Sequence, residues 1–135
     1  MYKHYKNSNE ELLILPVPIT KTKRLERGYN QAEELAKRVY ERLKERGLNV
    51  ELTISELQKT KDTLQQKHMD SNERRKNVEG AYHIENRQRI QGKTILLIDD
   101  ILTTGATGSE CAKRLFTAGA KEVFFLVAAS LPERK

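Results

Sequence analysis

Two apolar runs in the last third of the chain, Ile95 to Ile98 and Val123 to Ala129, constrain the fold more than any other feature. Neither alternates apolar with polar residues. Such continuous runs suit strands that are covered on both faces. The first belongs to a strand expected over Lys93 to Ile98. Between the runs, Ala112, Leu115 and Phe116 give the apolar stripe of a helix. That helix is expected to start around Thr107 or Ser109 and to end at Ala118-Gly119. A strand, a helix and a second strand at this spacing form a crossover, which makes the two strands parallel. The expected fold class is α/β, with an open, mainly parallel sheet flanked by helices.

The N-terminal half extends this reading. Leu12 to Pro18 is a short apolar run closed by two prolines, and reads as a buried strand entering a loop. The loop from Ile19 to Tyr29 is basic, with Lys21, Lys23, Arg24 and Arg27. A helix follows, with Asn30 as its cap and Glu33 at capping-box spacing. Ala32, Leu35, Ala36, Val39, Tyr40 and Leu43 lie on one face, and Arg46-Gly47 ends it. Asn49 to Ile54 is expected to be a strand. From about Leu57 to Val78 the chain is polar and charged, and is expected to be a mobile loop with a short helix near Met69 to Lys76. Ala81 to Ile84 reads as a brief strand. The 135 residues fit one domain, 1–135, with the flexible loop at about 57–78.

Composition removes several function classes. The one cysteine, Cys111, cannot form an internal disulfide or a zinc ribbon of paired CxxC motifs. The three histidines are scattered and show no ligand spacing. No apolar run is long enough to span a bilayer, and the start has no signal-peptide core. A reducing cytoplasm is the expected compartment. The formal net charge is +6, which favours polyanionic or phosphorylated partners without choosing among them.

In an open parallel sheet, ligands bind beyond the carboxyl ends of the strands. Asp99 to Gly108 falls at that edge. Its backbone leads into a helix N-terminus, which favours an anion. Gly105 and Gly108 let the chain close around a phosphate, and Thr103, Thr104 and Thr107 add hydroxyl donors. Thr107 with Glu110 also fits a capping box, so a capped turn without a ligand uses the same residues. Asp99 and Asp100 would repel a phosphate. They make sense if they serve a ribose diol or a Mg²⁺ ion held through water, or as a solvated strand end. The segment is neither a Walker A loop nor a GxGxxG loop.

Ile95 to Thr107 resembles the phosphoribosyl-pyrophosphate motif of type I phosphoribosyltransferases: hydrophobic residues, two acids, then a Thr-Thr-Gly loop. More narrowly, the chain resembles the ComF family of competence-associated, phosphoribosyltransferase-like proteins. Pro16-Val17-Pro18 and the segment Arg24 to Gln31 carry this likeness. So do Thr63, Gln66, Met69, Arg74 and Asn77 at the family spacing, and Gly80-Ala81-Tyr82. Tyr29, Met69 and Tyr82 replace the usual Phe, Leu and Phe. The N-terminal hood and zinc ribbon of family members are expected to be absent from this chain.

The resemblance implies a Mg²⁺-dependent phosphoribosyltransferase that binds phosphoribosyl pyrophosphate and transfers its sugar phosphate to a nitrogenous acceptor. It implies that Thr103, Thr104, Gly105, Ala106 and Thr107 hold the 5′-phosphate. Asp99 and Asp100 would hold the ribose hydroxyls and the Mg²⁺, and Asp100 is the candidate general base. Lys23, Arg24 and Arg27 would bind pyrophosphate, and Lys59, Lys61, Gln66 and Arg74 belong to the closing loop. The competence connection makes single-stranded DNA or the competence machinery a partner to test. A non-catalytic ligand-sensing or DNA-uptake accessory role is the alternative to catalysis. A homodimer is an assembly found among such relatives.

Overall fold

The computed structural model describes residues 10–60, 72–73, 80–102 and 106–130, with the side chains of 101, 102, 129 and 130 left aside. Of the expected site residues, Thr103, Thr104, Gly105, Lys61, Gln66 and Arg74 lie outside the described residues. So does most of the helix expected near Met69 to Lys76, although Asn72 and Glu73 within it are helical.

The central layer is a four-stranded, all-parallel sheet in the order β2-β1-β5-β6. Its strands are β1 (Leu12–Pro16), β2 (Val50–Leu52), β5 (Thr94–Leu102) and β6 (Glu122–Ser130). A separate antiparallel ribbon joins β3 (Leu57–Lys59) to β4 (Tyr82–Ile84). The helices are α1 (Lys21–Arg27), α2 (Gln31–Glu45) and α3 (Ala106–Thr117).

Strand alternation divides the core into two layers. Leu12, Ile14, Leu96 and Ile98 project to one face and pack with Ala36 and Leu48. Leu35, Val39, Tyr40 and Leu43 of α2 close that layer. Leu13, Leu15, Ile95 and Leu97 project to the other face, onto Cys111, Leu115 and Ala118. Ala81, Tyr82 and Ile90 complete that second layer. Each fully buried leucine or isoleucine contributes about 1.5–3 kcal/mol through removal from water. The central strands β1 and β5 are therefore the anchors of the fold, as their apolar runs predict.

Several expectations are corrected. The basic segment after β1 is not a loop: Lys21–Arg27 is helical. The Thr20 side chain accepts from the Lys23 N–H, and Gly28 ends the helix in the left-handed region at φ 81°. The polar stretch from Leu57 is not loop at its start, because β3 pairs with β4 and buries Leu57. The first apolar strand runs past Ile98 to Leu102, so Asp99 and Asp100 are strand residues. Thr107 lies inside α3 rather than capping it, since the helix already starts at Ala106.

The last strand departs furthest from expectation. β6 is a sheet edge and is not covered on both faces: Phe124, Phe125 and Leu126 are all exposed. Phe116 is also exposed, so the buried stripe of α3 is carried by Cys111 and Leu115. An apolar run records preference for burial, while the number of neighbouring layers decides whether burial happens.

Candidate functional site

The carboxyl end of β5 carries Asp99 and Asp100, and α3 begins a few residues later. Asp99 continues the row of Ile95 and Leu97 toward the α3 face. Its Oδ1 accepts the Asp100 backbone N–H at 2.9 Å. Burial pushes the Asp99 carboxyl up to about 7, and a hydrogen bond with the Asp100 carboxyl adds to the rise. The Asp100 N–H and the positive charge of Lys59 act in the opposite direction. The two acids therefore form a crowded pair in which Asp99 holds a proton close to neutral pH.

The ribbon brings two further side chains to this pair. Lys59 and Tyr82 are register partners, and the Lys59 Nζ lies 5.8 Å from the Tyr82 ring centroid. Burial pushes the Tyr82 hydroxyl well above the usual tyrosine range, and the nearby Thr107 side chain acts in the opposite direction. Gly80, at the ribbon's start, donates its N–H to Glu110 Oε1 of α3 at 3.5 Å, and the same oxygen accepts from Arg114 Nε at 3.1 Å. Cys111 is fully buried beneath the site. Burial raises its thiol pKa, so it stays protonated and acts as a packing residue.

A cavity of about 260 Å³ reaches Lys59, although neither Asp99 nor Asp100 lines it. Pro18, Ile19, Lys21, Arg24, Asn30 and Glu33 line one side, and Ile54, Ser55, Leu57, Gln58 and Lys59 the other. Lys59 thus belongs both to the cavity wall and to the surroundings of Asp99. Of the basic residues expected to meet pyrophosphate, Arg24 lines the cavity, whereas Lys23 and Arg27 are not among its lining residues. Arg24 also makes a two-pronged ion pair with the buried carboxylate of Glu33, at 3.0 and 3.3 Å. Lys37 reaches that same carboxylate at 3.6 Å. The Asn30 side chain accepts from the Ala32 N–H and donates to the Val17 carbonyl, which fixes the start of α2 against the end of β1.

Sequence reasoning missed the roles of Lys21, Glu33 and Tyr82. Lys21 was visible only as one of several basic residues. Glu33 stood at capping spacing, yet its carboxylate pairs with Arg24 and Lys37. Tyr82 becomes a site neighbour only through ribbon pairing, which has no local signal.

Two carboxylates suit Mg²⁺, which takes oxygen donors and usually keeps several waters and substrate oxygens. Among the described residues no group of three or more His, Cys, Asp or Glu side chains comes together. The donor set therefore fits a cation completed by ligand oxygens, and the crowding of Asp99 against Asp100 is what such a cation would offset. Among the described residues, no helix is long and apolar enough to cross a membrane.

Comparisons with known proteins agree with this geometry. The phosphoribosyl transferase domain family matches residues 2–135. Competence protein F of Haemophilus influenzae is 30% identical over 111 residues, covering 82% of this chain and 46% of that protein. The DNA utilization protein YhgH of Escherichia coli O157:H7 is 29% identical over 110 residues, covering 82% and 45%. The chain thus spans about half the length of the curated relatives it matches. Among solved structures, a glutamic acid mutant from a study of an invariant aspartic acid in HPRTs superposes with a TM-score of 0.56 at 13% identity, covering 97% of this chain and 71% of that one. A hypoxanthine phosphoribosyltransferase from Staphylococcus aureus gives 0.55 at 15% identity, covering 98% and 67%. These likenesses concern the fold. The parallel sheet, the acidic strand end and the match along nearly the whole length place the chain in the phosphoribosyl transferase domain family, in a form similar to the competence protein F relatives.

Proposed function

We propose that this chain acts as one phosphoribosyltransferase-like domain that binds phosphoribosyl pyrophosphate with Mg²⁺ and transfers the phosphoribosyl group to a nitrogenous acceptor. The observation that carries the reading is the crowded Asp99–Asp100 pair at the carboxyl end of β5, faced by Lys59 and followed by the start of α3.

In this reading the segment Thr103 to Thr107 receives the 5′-phosphate at the N-terminus of α3, where the helix dipole favours an anion. Asp99 and Asp100 hold the ribose hydroxyls and, through water, the Mg²⁺. The metal supplies charge neutralisation for the pyrophosphate leaving group. Lys21 and Arg24, on the cavity wall, face the pyrophosphate, with Lys23 and Arg27 contributing to the surrounding positive field. Lys59 contributes a cation from the ribbon, and Lys61, Gln66 and Arg74 add charged and polar groups toward the ligand.

The bond from ribose C1 to the pyrophosphate oxygen breaks, and a bond from C1 to the acceptor nitrogen forms. The acceptor's proton passes to the Asp100 carboxylate, and pyrophosphate leaves. The developing positive charge on the sugar needs no protein nucleophile.

A second reading keeps the ligand site without catalysis. The names of the relatives connect them to competence and DNA utilization, and α1 presents exposed Lys23 and Arg27 near the exposed Tyr29. A sensing or single-stranded-DNA accessory module would use these features.

Isothermal calorimetry with phosphoribosyl pyrophosphate tests the ligand site that both readings share, and release of pyrophosphate separates them. Binding that requires Mg²⁺ and is lost in Asp99→Asn/Asp100→Asn is expected. Absence of any binding removes the ligand site. Salt-dependent binding of single-stranded DNA that ignores these substitutions, without release of pyrophosphate from phosphoribosyl pyrophosphate in the presence of any acceptor, favours the second reading.

A further inference from the structure

The two edges of the central sheet are built differently. At one edge, β2 is only three residues long, and its central Glu51 is held by Arg89 at 2.6 Å. Short length and a charge are the usual protection of an exposed edge. At the other edge, β6 has nine residues, Glu122–Ser130, and no strand among the described residues pairs with its outer side. From Val123 to Ser130 it contains neither proline nor charge, in a chain that is 33% charged. Phe124, Phe125 and Leu126 are 38%, 39% and 43% exposed. An uncharged run of eight residues, with an outer row of backbone donors and acceptors that no described strand pairs, is a template for another strand.

The sequence of β6 is complementary to itself. Only one antiparallel register pairs all nine residues of two copies, and its two-fold axis passes through Leu126. In that register Phe125 stands opposite Val127 of the second copy, and Phe124 opposite Ala128. Each large ring therefore meets a small side chain. Centring on Phe125 instead would set the two Phe125 rings against each other and shorten the overlap. In the register centred on Leu126, Glu122 meets Ser130, so no like charges are opposed. With +6 on each copy, this neutral strand is also a contact that brings no like charges together.

We propose that β6 is a dimerisation strand, and that a second copy of this chain pairs with it antiparallel about Leu126, joining two four-stranded sheets into one of eight. The interface is isologous, as expected of a closed dimer. It does not depend on the ligand reading of the site.

Light scattering on the wild-type chain, over a concentration series at moderate salt, tests the assembly. A dimer is expected, with Leu126→Lys and the milder Ala128→Lys both giving monomers of unchanged circular dichroism. Having two variants keeps the result readable if one fails to fold. The register is tested by oxidation: residue 126 of each copy meets itself across the axis, within the Cα separation that a disulfide accepts. Leu126→Cys is expected to cross-link quantitatively, whereas the wild type, with Cys111 buried, is not. Phe124→Cys is expected to cross-link only when combined with Ala128→Cys. A wild-type chain that stays monomeric throughout the series overturns the proposal and leaves the edge to an unrelated partner. A dimer that survives both lysine substitutions and gives no cross-link at residue 126 overturns it as well.

Discussion

Arg24 of α1 and Glu33 of α2 hold each other by two parallel hydrogen bonds, at 3.0 and 3.3 Å. Glu33 is buried, while about half of Arg24 is exposed. The helix α1 buries no residue of its own, and Leu25 projects into solvent. This ion pair is therefore a main tether of α1 to the body of the protein. It also orients the cavity wall that includes Lys21.

Arg24→Ala is expected to destabilise the protein by about 1–2 kcal/mol, between the small worth of exposed pairs and the large cost of a stranded buried charge. Lys37 remains beside Glu33 and limits the loss. Urea denaturation measures the change, and limited trypsin digestion should cut sooner at Lys23 and Arg27. Unaltered stability together with unaltered digestion would contradict the tether.

Asp99 makes stability depend on pH in a defined direction. Burial and the Asp100 carboxyl raise its pKa from 3.8 to about 7 in the folded chain. The folded state therefore holds this proton more tightly than the unfolded state. The stabilisation is complete below the ordinary carboxylate range and is lost as pH rises through about 7. Melting temperature should fall between about pH 4 and pH 8 through this group, and Asp99→Asn should flatten that part of the profile. Parallel profiles for the two proteins would sink the assignment.

Lys59→Met tests the ribbon's electrostatic reach. Removing the lysine charge takes away an influence that lowers the Asp99 pKa. The midpoint of the Asp99 titration, followed by carboxyl NMR, should move to higher pH. The stability loss from the contact with the Tyr82 ring should stay near about 0.5–1 kcal/mol. A midpoint that stays in place would separate Lys59 from the acidic pair.

Gly108 is a packing requirement of the α3–β6 contact. A Cβ placed there would come within 2.4 Å of the Phe125 ring. Alanine is otherwise favoured over glycine by about 0.5–1 kcal/mol in a helix interior, and by less in the first turn, where Gly108 stands. Gly108→Ala should therefore destabilise the wild type by about 1–2 kcal/mol, the clash outweighing the propensity. In a Phe125→Ala background the same change should become stabilising. Thermal melts of the four proteins give the cycle, and equal effects in both backgrounds would dismiss the contact.

Much of the fold was legible in local pattern. The periodic face of α2 and its Asn30 cap predict the observed helix closely, because both signals lie within a few residues of each other. The β5–α3–β6 crossover was equally plain, although the acidic pair expected beyond the first strand lies within β5. The helix α1 was not legible: it has no apolar face, and its Thr20 cap and Gly28 stop resemble ordinary loop residues. The exposure of Phe124, Phe125 and Leu126 was hidden for a different reason. A strand's sequence does not say whether it will be central or at an edge.

Sequence by itself determined which segments are helices and strands in the core, the parallel crossover, and the carboxylate pair toward the carboxyl end of β5, since each depends on spacing along a few turns or pleats. Tertiary structure alone decided that Lys59 and Tyr82 stand beside Asp99, that Arg24 is engaged by Glu33, and that β6 is an edge among the described strands. Those relations join residues far apart in the chain. Their energies arise from desolvation and from charges brought together by packing, and neither exists until the layers have closed.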